Sequence, residues 1–261
     1  MSVKDLIVMP IKKPQADVAI KKYHYSGKVC PNSQLNYGVF KNRILVGAIQ
    51  YGPSTDKKRM AQSLCCGSNE LIELNRVAIS DVCGKNTESR CIGYTLRDIN
   101  KRYPHIKAVV SFADACQCGD GQIYRALGFK LHSIKTNKSL LRVPESAKEY
   151  LSKYIKNIGD VVSTKTLNDH VVEGGALLSS KSKALGLTAL VGYQMKYIFI
   201  LKDGFLSQHK FIEYKDIPEY VKMYKGKKYA TVAQEERTTS GCEMACQTDP
   251  VAPFKKNGVA I

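Results

Sequence analysis

The middle of the chain alternates between strand-like and helix-like patterns, and few folds accommodate that order. Residues 70–79 and 106–114 have the short, nearly continuous apolar pattern of buried strands. Residues 90–104 and 121–129 have apolar side chains at helical spacing. A strand–helix–strand–helix order predicts two parallel strands joined by a crossover helix. The sequence therefore predicts an α/β (α+β) fold, with a mixed central sheet flanked by helices.

Further elements are predicted on both sides of this unit. They are helices at 14–25 and 145–158 and strands at 35–40, 44–52 and 193–203. We expect one domain over residues 1–230, with a polar and basic insertion at about 133–192. Residues 231–261 lack periodicity, which predicts a disordered tail.

The charge of the chain is strongly positive. Its 261 residues include 40 basic and 23 acidic side chains, for a formal net charge of +17. The excess lies in residues 1–45, 84–107 and 133–196, whereas residues 46–83 and 108–132 are balanced. This asymmetry favours a polyanionic partner such as DNA, and a solvated basic surface is the alternative.

Targeting features and cysteine usage predict a cytoplasmic protein. No apolar stretch approaches the length that spans a bilayer, and the N-terminus lacks the pattern of a signal peptide. The nine cysteines are an odd number without the paired C-x-x-C spacing of a zinc site. We expect them to be plain thiols in a reducing compartment, and we expect no membrane partner.

The loop before the helix predicted at 90–104 is a candidate phosphate site. A helix N-terminus presents free backbone N–H groups and the positive end of the helix dipole. The candidate residues at this junction are Gly84, Lys85, Asn86, Ser89 and Arg90. The N–H groups would bind a pyrophosphate, and Lys85 or Arg90 would add positive charge. An ordinary capped helix start, with Asn86 or Thr87 as the cap, is the alternative.

A family resemblance supports this site. Residues 123–129, IYRALGF, resemble the A…LYEKLGF motif of the GCN5-related N-acetyltransferases (GNAT). In that family this helix lines the acyl-CoA site, and its Tyr, here Tyr124, often protonates the leaving thiolate. The preceding strand–loop–helix is similar to the family's pyrophosphate motif, although residues 85–90 are KNTESR where the family has Gln/Arg-x-x-Gly-x-Gly/Ala. The resemblance implies the GNAT acyltransferase fold and acetyl-CoA or a related acyl donor.

A longer series of motifs resembles a more specific family. The motifs are, in order, HYS at 24–26, GAIQYGP at 47–53, ELNRV at 73–77, SFAD at 111–114 and GQIY at 121–124. This series resembles the phage Mom DNA-modification proteins, which have the acetyltransferase fold and convert adenine in DNA to an N6-carbamoylmethyl-type adenine. It implies a transferase that modifies adenine N6 and protects phage DNA from restriction in the host cytoplasm. DNA and an acyl-CoA-like donor would be its partners.

Such a reaction needs a base, because the exocyclic amine of adenine is a poor nucleophile. Asp114, at the end of a buried strand, is the candidate base, and capping of the following loop is its alternative role. Tyr124 would act as an acid or orient the donor, or else pack in the core. Ser111 can hydrogen-bond a carbonyl, although a small strand residue needs no such role.

Several tyrosines precede these residues. Tyr23, Tyr25, Tyr37 and Tyr51 are expected around the site, where their rings would stack an extruded adenine or simply fill the core. Members of the Mom family have been suggested to use iron, and His24, Tyr25 and Asp114 are a chemically compatible ligand set. A structural role for His24 is the alternative.

Phosphate contacts are expected from a short basic run within residues 53–69, which the sequence predicts to be a polar loop. Lys57, Lys58 and Arg59, together with residues 133–192, would bind the DNA backbone, which sets affinity and register but carries little sequence information. Two other functions stay open. They are an N-acetyltransferase acting on a protein or a small amine, and a non-catalytic DNA-binding protein with the same fold.

Overall fold

The computed structural model describes residues 6–24, 27–54, 56–114, 120–156, 158–171 and 182–217. The side chains at 114, 137–139, 165, 169 and 190–192 lie outside this description. The described chain forms two compact units. The first contains residues up to 112 together with 121–133 and 196–212, and the second contains 113–120, 134–195 and the residues from 213.

The described strands are β1 (Leu6–Pro10), β2 (Leu35–Lys41), β3 (Ile44–Gly52), β4 (Leu71–Ile79), β5 (Ala108–Asp114), β6 (Lys130–Arg142), β7 (Val161–Ser163) and β8 (Thr188–Ile200). The described helices are α1 (Lys13–Tyr23), α2 (Lys57–Ser63), α3 (Thr87–Arg102), α4 (Gln122–Ala126), α5 (Glu145–Ser152) and α6 (Thr164–His170). No helix in the described part of the chain has the length and apolar character needed to cross a bilayer.

The sheet of the first unit has the strand order β1-β2-β3-β4-β5-β8-β6, to which β8 and β6 contribute their residues 196–200 and 130–133. Strands β1 to β4 are antiparallel neighbours, and β4 and β5 are parallel. The helix α3 connects this parallel pair, as the sequence predicted. The prediction of a mixed central sheet is therefore confirmed.

Helices cover both faces of this sheet. The helix α1 packs Ala16, Ala19 and Ile20 against Ala48 and Ala78. Successive side chains of a strand point to opposite faces, so Tyr37, Ile49 and Tyr51 lie on the other face. The helix α3 covers that face, because its Asp98 and Thr95 bond the hydroxyls of Tyr37 and Tyr51. Small residues on the first face allow α1 to approach the sheet closely.

Several predicted boundaries were wrong. Residues 57–63 form α2 instead of a loop, because the Asp56 carboxylate caps the helix by accepting from the Arg59 N–H at 3.1 Å. The helix α3 starts at Thr87, three residues earlier than predicted, so Ser89 and Arg90 lie in its first turn. The predicted insertion at 133–192 contains most of β6, and β8 starts at Thr188. The 1–230 domain stays a prediction, and the 231–261 tail lies outside the described residues.

Candidate functional site

The parallel strands β4 and β5 are paired over a short distance. Their ladder runs from Leu71–Ala108 to Glu73–Val110, and β4 then continues to Ile79. The buried Ser111 hydroxyl donates to the Leu74 carbonyl oxygen at 3.1 Å, one step beyond the last pair. A side chain thus joins the strands where the backbone ladder stops. The Ser111 hydroxyl therefore bonds a carbonyl of the sheet itself. A hydrogen bond from Ser111 to the substrate stays a prediction.

Tyr124 is held in a group of aromatic rings. It is 9% exposed, on the short helix α4. The ring centroids of Phe129 and Tyr197 each lie 5.3 Å from that of Tyr124. Packing on both rings fixes the orientation of Tyr124, whether the phenol serves chemistry or the core.

The start of α4 depends on a glycine. Gly121 has a φ of +79°, in the left-handed region that favours glycine. A Cβ atom at this position would clash with Tyr197 Cε2 and would lie 2.7 Å from its Cζ. The ring of Tyr197 therefore contacts the backbone at the start of α4 and the side chain of Tyr124. Tyr197 therefore helps to fix the position of Tyr124, and the sequence did not predict this contact.

Tyr51 lies close to Tyr124 inside the core. It is fully buried, and its hydroxyl is 2.5 Å from Thr95 Oγ1, which itself donates to the Ile92 carbonyl. Burial raises the pKa of Tyr51 well above its ordinary value, the bond to Thr95 opposes that shift, and the nearby Tyr124 phenol adds to it. Tyr51 is thus a neutral hydrogen-bond donor at physiological pH.

The tyrosines at 37 and 51 form a buried pair. Their ring centroids are 6.0 Å apart in an edge-to-face arrangement, and the Tyr37 hydroxyl donates to Asp98 at 2.7 Å. Tyr37 is only 2% exposed. This burial favours the core-filling alternative over stacking on an extruded base. Tyr23 packs with the α1 cluster, and Tyr25 lies outside the described residues.

The start of α3 is open to solvent and is not capped by a side chain. Gly84 has a φ of +84° with nothing within 4 Å of an added Cβ, and Asn86 is left-handed with no side-chain cap bond. Lys85 and Arg90 are exposed. The Ser89 hydroxyl donates to the Asn86 carbonyl at 3.1 Å. The predicted phosphate-site residues are thus together, around N–H groups that no described side chain occupies.

The structure adds a cleft beside the last β4–β5 pair that sequence reasoning missed. Its cavity volume is about 10 Å³, room for about one water molecule, and it is lined by Ser54, Lys57, Met60, Leu71, Ile72, Glu73 and Val110. Burial raises the pKa of Glu73, while hydrogen bonds from Ser54 and Asn75 and the charge of Arg76 oppose the shift. The signals in the sequence were the ELNRV motif at 73–77 and the polar residues Glu73, Asn75 and Arg76 in an otherwise apolar strand.

The Asn75 amide interacts with this carboxyl group through its N–H, while its oxygen is left without a partner in the described part of the chain. Its Oδ1 atom is buried without a hydrogen-bond partner among the described residues. It also lies 2.9 Å from where a Cβ of residue 52 would be, so Gly52 leaves the room it needs. An unsatisfied buried acceptor costs about 1–3 kcal/mol.

The predicted DNA-binding run lies on α2, next to this cleft. Lys57 lines the cleft and donates to Asn69 Oδ1 at 2.7 Å. Lys58 is exposed, and Arg59 is 85% exposed with its Nε 3.7 Å from an Asp56 oxygen. An exposed ion pair of this length contributes little to stability. The three cations therefore remain available to phosphate groups.

The described residues include only part of the expected set of iron ligands. His24 follows α1, and its N–H donates to the Ile20 carbonyl at 2.9 Å. Tyr25 lies outside the described residues, and Asp114 is described only as the last residue of β5. Among the described residues, no three His, Cys, Asp or Glu side chains form a group that could hold a metal. The roles of Asp114 as base and of iron stay predictions.

Comparisons with solved structures find acetyltransferases at low similarity. A GNAT family acetyltransferase from Elizabethkingia anophelis, solved with acetyl-CoA bound, is 10% identical, and the match covers 76% of this chain and 99% of that chain with a TM-score of 0.39. The ribosomal-protein-S18-alanine N-acetyltransferase from Escherichia coli is 9% identical over 76% and 94%, with a TM-score of 0.40.

Sequence comparison is more specific. The curated relative "Methylcarbamoylase mom" of Escherichia phage Mu is 37% identical over 131 residues, which are 48% of this chain and 53% of that protein. The match thus spans about half the length of the relative. The sequence profile of the Mom protein family matches residues 5–219, most of the chain. The chain is therefore a member of the Mom protein family.

Proposed function

We propose that this protein is a transferase that modifies the N6 amine of adenine in DNA and so protects phage DNA from restriction. The observation that carries the proposal is the Mom family match over residues 5–219. The phage Mu relative, named a methylcarbamoylase, supports a group-transfer reaction. The geometry agrees, because β4 and β5 part toward the end of β4 that leads into α3.

The open start of α3 fits the pyrophosphate of an acyl-CoA-like donor. The N–H groups of its first turn would bind the phosphates, Gly84 leaves room for close approach, and Lys85 and Arg90 add positive charge. When bound, such a donor would supply an activated acyl group. Ligands of open α/β sheets bind beyond the carboxyl ends of strands, which is where this helix start lies.

The remaining chemistry falls to residues of the chain. In the proposed step, the Asp114 carboxylate takes the proton of the N6 amine as the new N6–carbon bond forms. The bond between that carbon and the leaving group breaks, and the Tyr124 hydroxyl supplies a proton to the leaving group. Tyr197 and Phe129 hold the Tyr124 ring, and the neighbouring Tyr51 stays protonated. The role of Tyr124 follows the family resemblance, and that of Asp114 follows from its place at the end of β5.

The cations of α2 suit DNA as the acceptor. Lys57, Lys58 and Arg59 lie on one short helix beside a cleft at the β4–β5 opening. Contacts to phosphates supply most of the affinity of such a surface and make it depend on salt.

Mass spectrometry of nucleosides from cells expressing the full chain tests the proposal. We expect a mass-shifted deoxyadenosine that is lost in Asp114→Asn and reduced at least tenfold in Tyr124→Phe, the range typical of acid–base groups. The matched controls are Asp81→Asn and Tyr94→Phe, which change exposed side chains.

Other outcomes would point elsewhere. Unmodified DNA under good expression, together with CoA-dependent acetylation of an amine and no affinity for DNA, would favour an N-acetyltransferase. Tight DNA binding that survives Asp114→Asn, with no altered nucleoside, would favour a non-catalytic DNA-binding protein.

A further inference from the structure

The outward face of α3 carries a row of side chains that includes cations and no acidic residue. Residues three and four positions apart lie on one side of a helix, and the exposed members of this row are Arg90, Tyr94, Arg97 and Lys101. We call this row the α3 stripe. It extends about 16 Å along the helix axis. Both acidic residues of α3, Glu88 and Asp98, lie outside it.

The charges of the α3 stripe are not neutralised within the described part of the chain. No described residue forms an ion pair with Arg90, Arg97 or Lys101. Arg97 and Lys101 are one helical turn apart, and like charges at that spacing destabilise a helix. Arg90 lies in the first turn, where the helix dipole disfavours a cation. A solvated surface ordinarily mixes both signs of charge, so this single sign indicates an anionic partner.

A further cation is held beside the end of the stripe. The Lys202 amine donates to Asn100 Oδ1 at 2.7 Å and lies 3.5 Å from the Asn100 carbonyl oxygen. The cationic surface therefore continues from α3 onto the segment that follows β8. A phosphate backbone fits such a surface, because contacts between cations and phosphates supply affinity without a pocket.

The stripe and the cations of α2 lie on opposite sides of the sheet. Thr95 of α3 bonds the hydroxyl of Tyr51, whose partner across the strands is Leu74. Glu73 is the neighbour of Leu74 along β4, so its side chain points to the other face. The helix α2 covers that other face, because its Lys57 lines the cleft that contains Glu73.

We propose that the α3 stripe binds the phosphate backbone of a second duplex segment while the cations of α2 hold the first. The proposal rests on the proposed function, from which it takes duplex DNA as the partner, and it adds a second contact surface. DNA has a persistence length of roughly 150 base pairs, so a short duplex does not bend from one face of the sheet to the other. Each surface therefore takes its own segment. A protein held by two segments passes from one to the other without release from the DNA.

A capture assay tests the proposal. Duplexes of about 20 base pairs, well below the persistence length, are immobilised sparsely on beads and loaded with the full chain, and unbound protein is washed away. A labelled duplex of the same length is then added at about 0.1 M salt, where phosphate contacts still contribute strongly to affinity. We expect the wild type to retain the labelled duplex in proportion to the protein on the beads.

A double variant isolates the stripe. Arg97→Gln/Lys101→Gln removes two of its cations and leaves Arg90 of the proposed donor site in place. The loss of two phosphate contacts should lower capture of the labelled duplex at least tenfold, whereas binding to the immobilised duplex should change by less than about threefold, because α2 is unaltered. Lys130→Gln/Lys210→Gln removes two exposed lysines elsewhere and is the matched control, which should capture as the wild type does. The midpoint of urea unfolding checks that the double variant is folded, and it should not fall, since a like-charge pair is removed.

Each outcome decides the proposal. Absence of capture by the wild type, or equal capture by the wild type and the stripe variant, would overturn it. An equal loss in the control variant would show an effect of net charge alone and would overturn it as well. Modified adenine in cellular DNA without capture would reject the second surface and keep the proposed function. Capture that is lost in the stripe variant, without any modified nucleoside in cellular DNA, would support the surface and reject the proposed function.

Discussion

Substitution of Gly121 by Ala should destabilise the protein through two separable effects. The left-handed φ of +79° at this position disfavours any residue with a Cβ, by about 1–2 kcal/mol. The new methyl group would also push against the Tyr197 ring, since its distance to Cζ would be 2.7 Å. Overpacking of this kind costs about 1–3 kcal/mol, so the expected total is about 2–5 kcal/mol.

Gly128→Ala is the matched control. Gly128 follows α4 with a φ of +83°, but nothing lies within 4 Å of an added Cβ. This variant should therefore show the backbone cost alone, about 1–2 kcal/mol. The difference between the two variants isolates the contact with Tyr197.

Urea unfolding of the two variants and the wild type measures these costs. Midpoints should fall in both variants with an unchanged slope, and further in Gly121→Ala. Equal losses in the two variants would show that Tyr197 is not packed against the start of α4. The claim that Tyr197 fixes the position of Tyr124 would then be wrong.

Three further perturbations have defined outcomes. Tyr51→Phe deletes the hydrogen bond to Thr95 and should lower stability by about 1 kcal/mol in urea unfolding; an unchanged midpoint would contradict that bond. The pKa of Glu73 is raised in the folded state, so wild-type stability should fall as pH rises from the ordinary value of 4.5 through the raised one. Glu73→Gln should not show that fall, and parallel pH profiles would refute the assignment. Replacement of the cations at 57–59 by Ala should reduce the slope of log affinity for duplex DNA against log salt by about 2.7, and an unaltered slope would exclude them from phosphate contact.

Local signals were sufficient for much of the fold. The hairpin between β2 and β3 turns at Asn42 and Arg43, both with positive φ, between the strands that the sequence predicted at 35–40 and 44–52. The apolar run of β5 and the amphipathic pattern of α3 also predicted the parallel pair. These features depend on neighbours within a few residues, which is the range over which periodicity is informative.

The features that the sequence did not predict have a different cause. The helix α2 is only seven residues long, too short for a clear helical period. Glu73 acquires its environment from Ser54 and Val110, which lie outside β4. Tyr51 meets Thr95 across 44 residues of sequence. Contacts of this separation are set by tertiary packing, and the sequence pattern around each residue does not contain them.

Tandem mass spectrometry with labelled DNA tests the central claim most directly. Cells expressing the full chain are grown with adenine that carries ¹⁵N at the exocyclic position, and their deoxyadenosine is fragmented. A member of the Mom family acting as described should yield an added group that stays attached to the labelled nitrogen. Deoxyadenosine of ordinary mass throughout, from cells that contain the folded protein, would contradict the account.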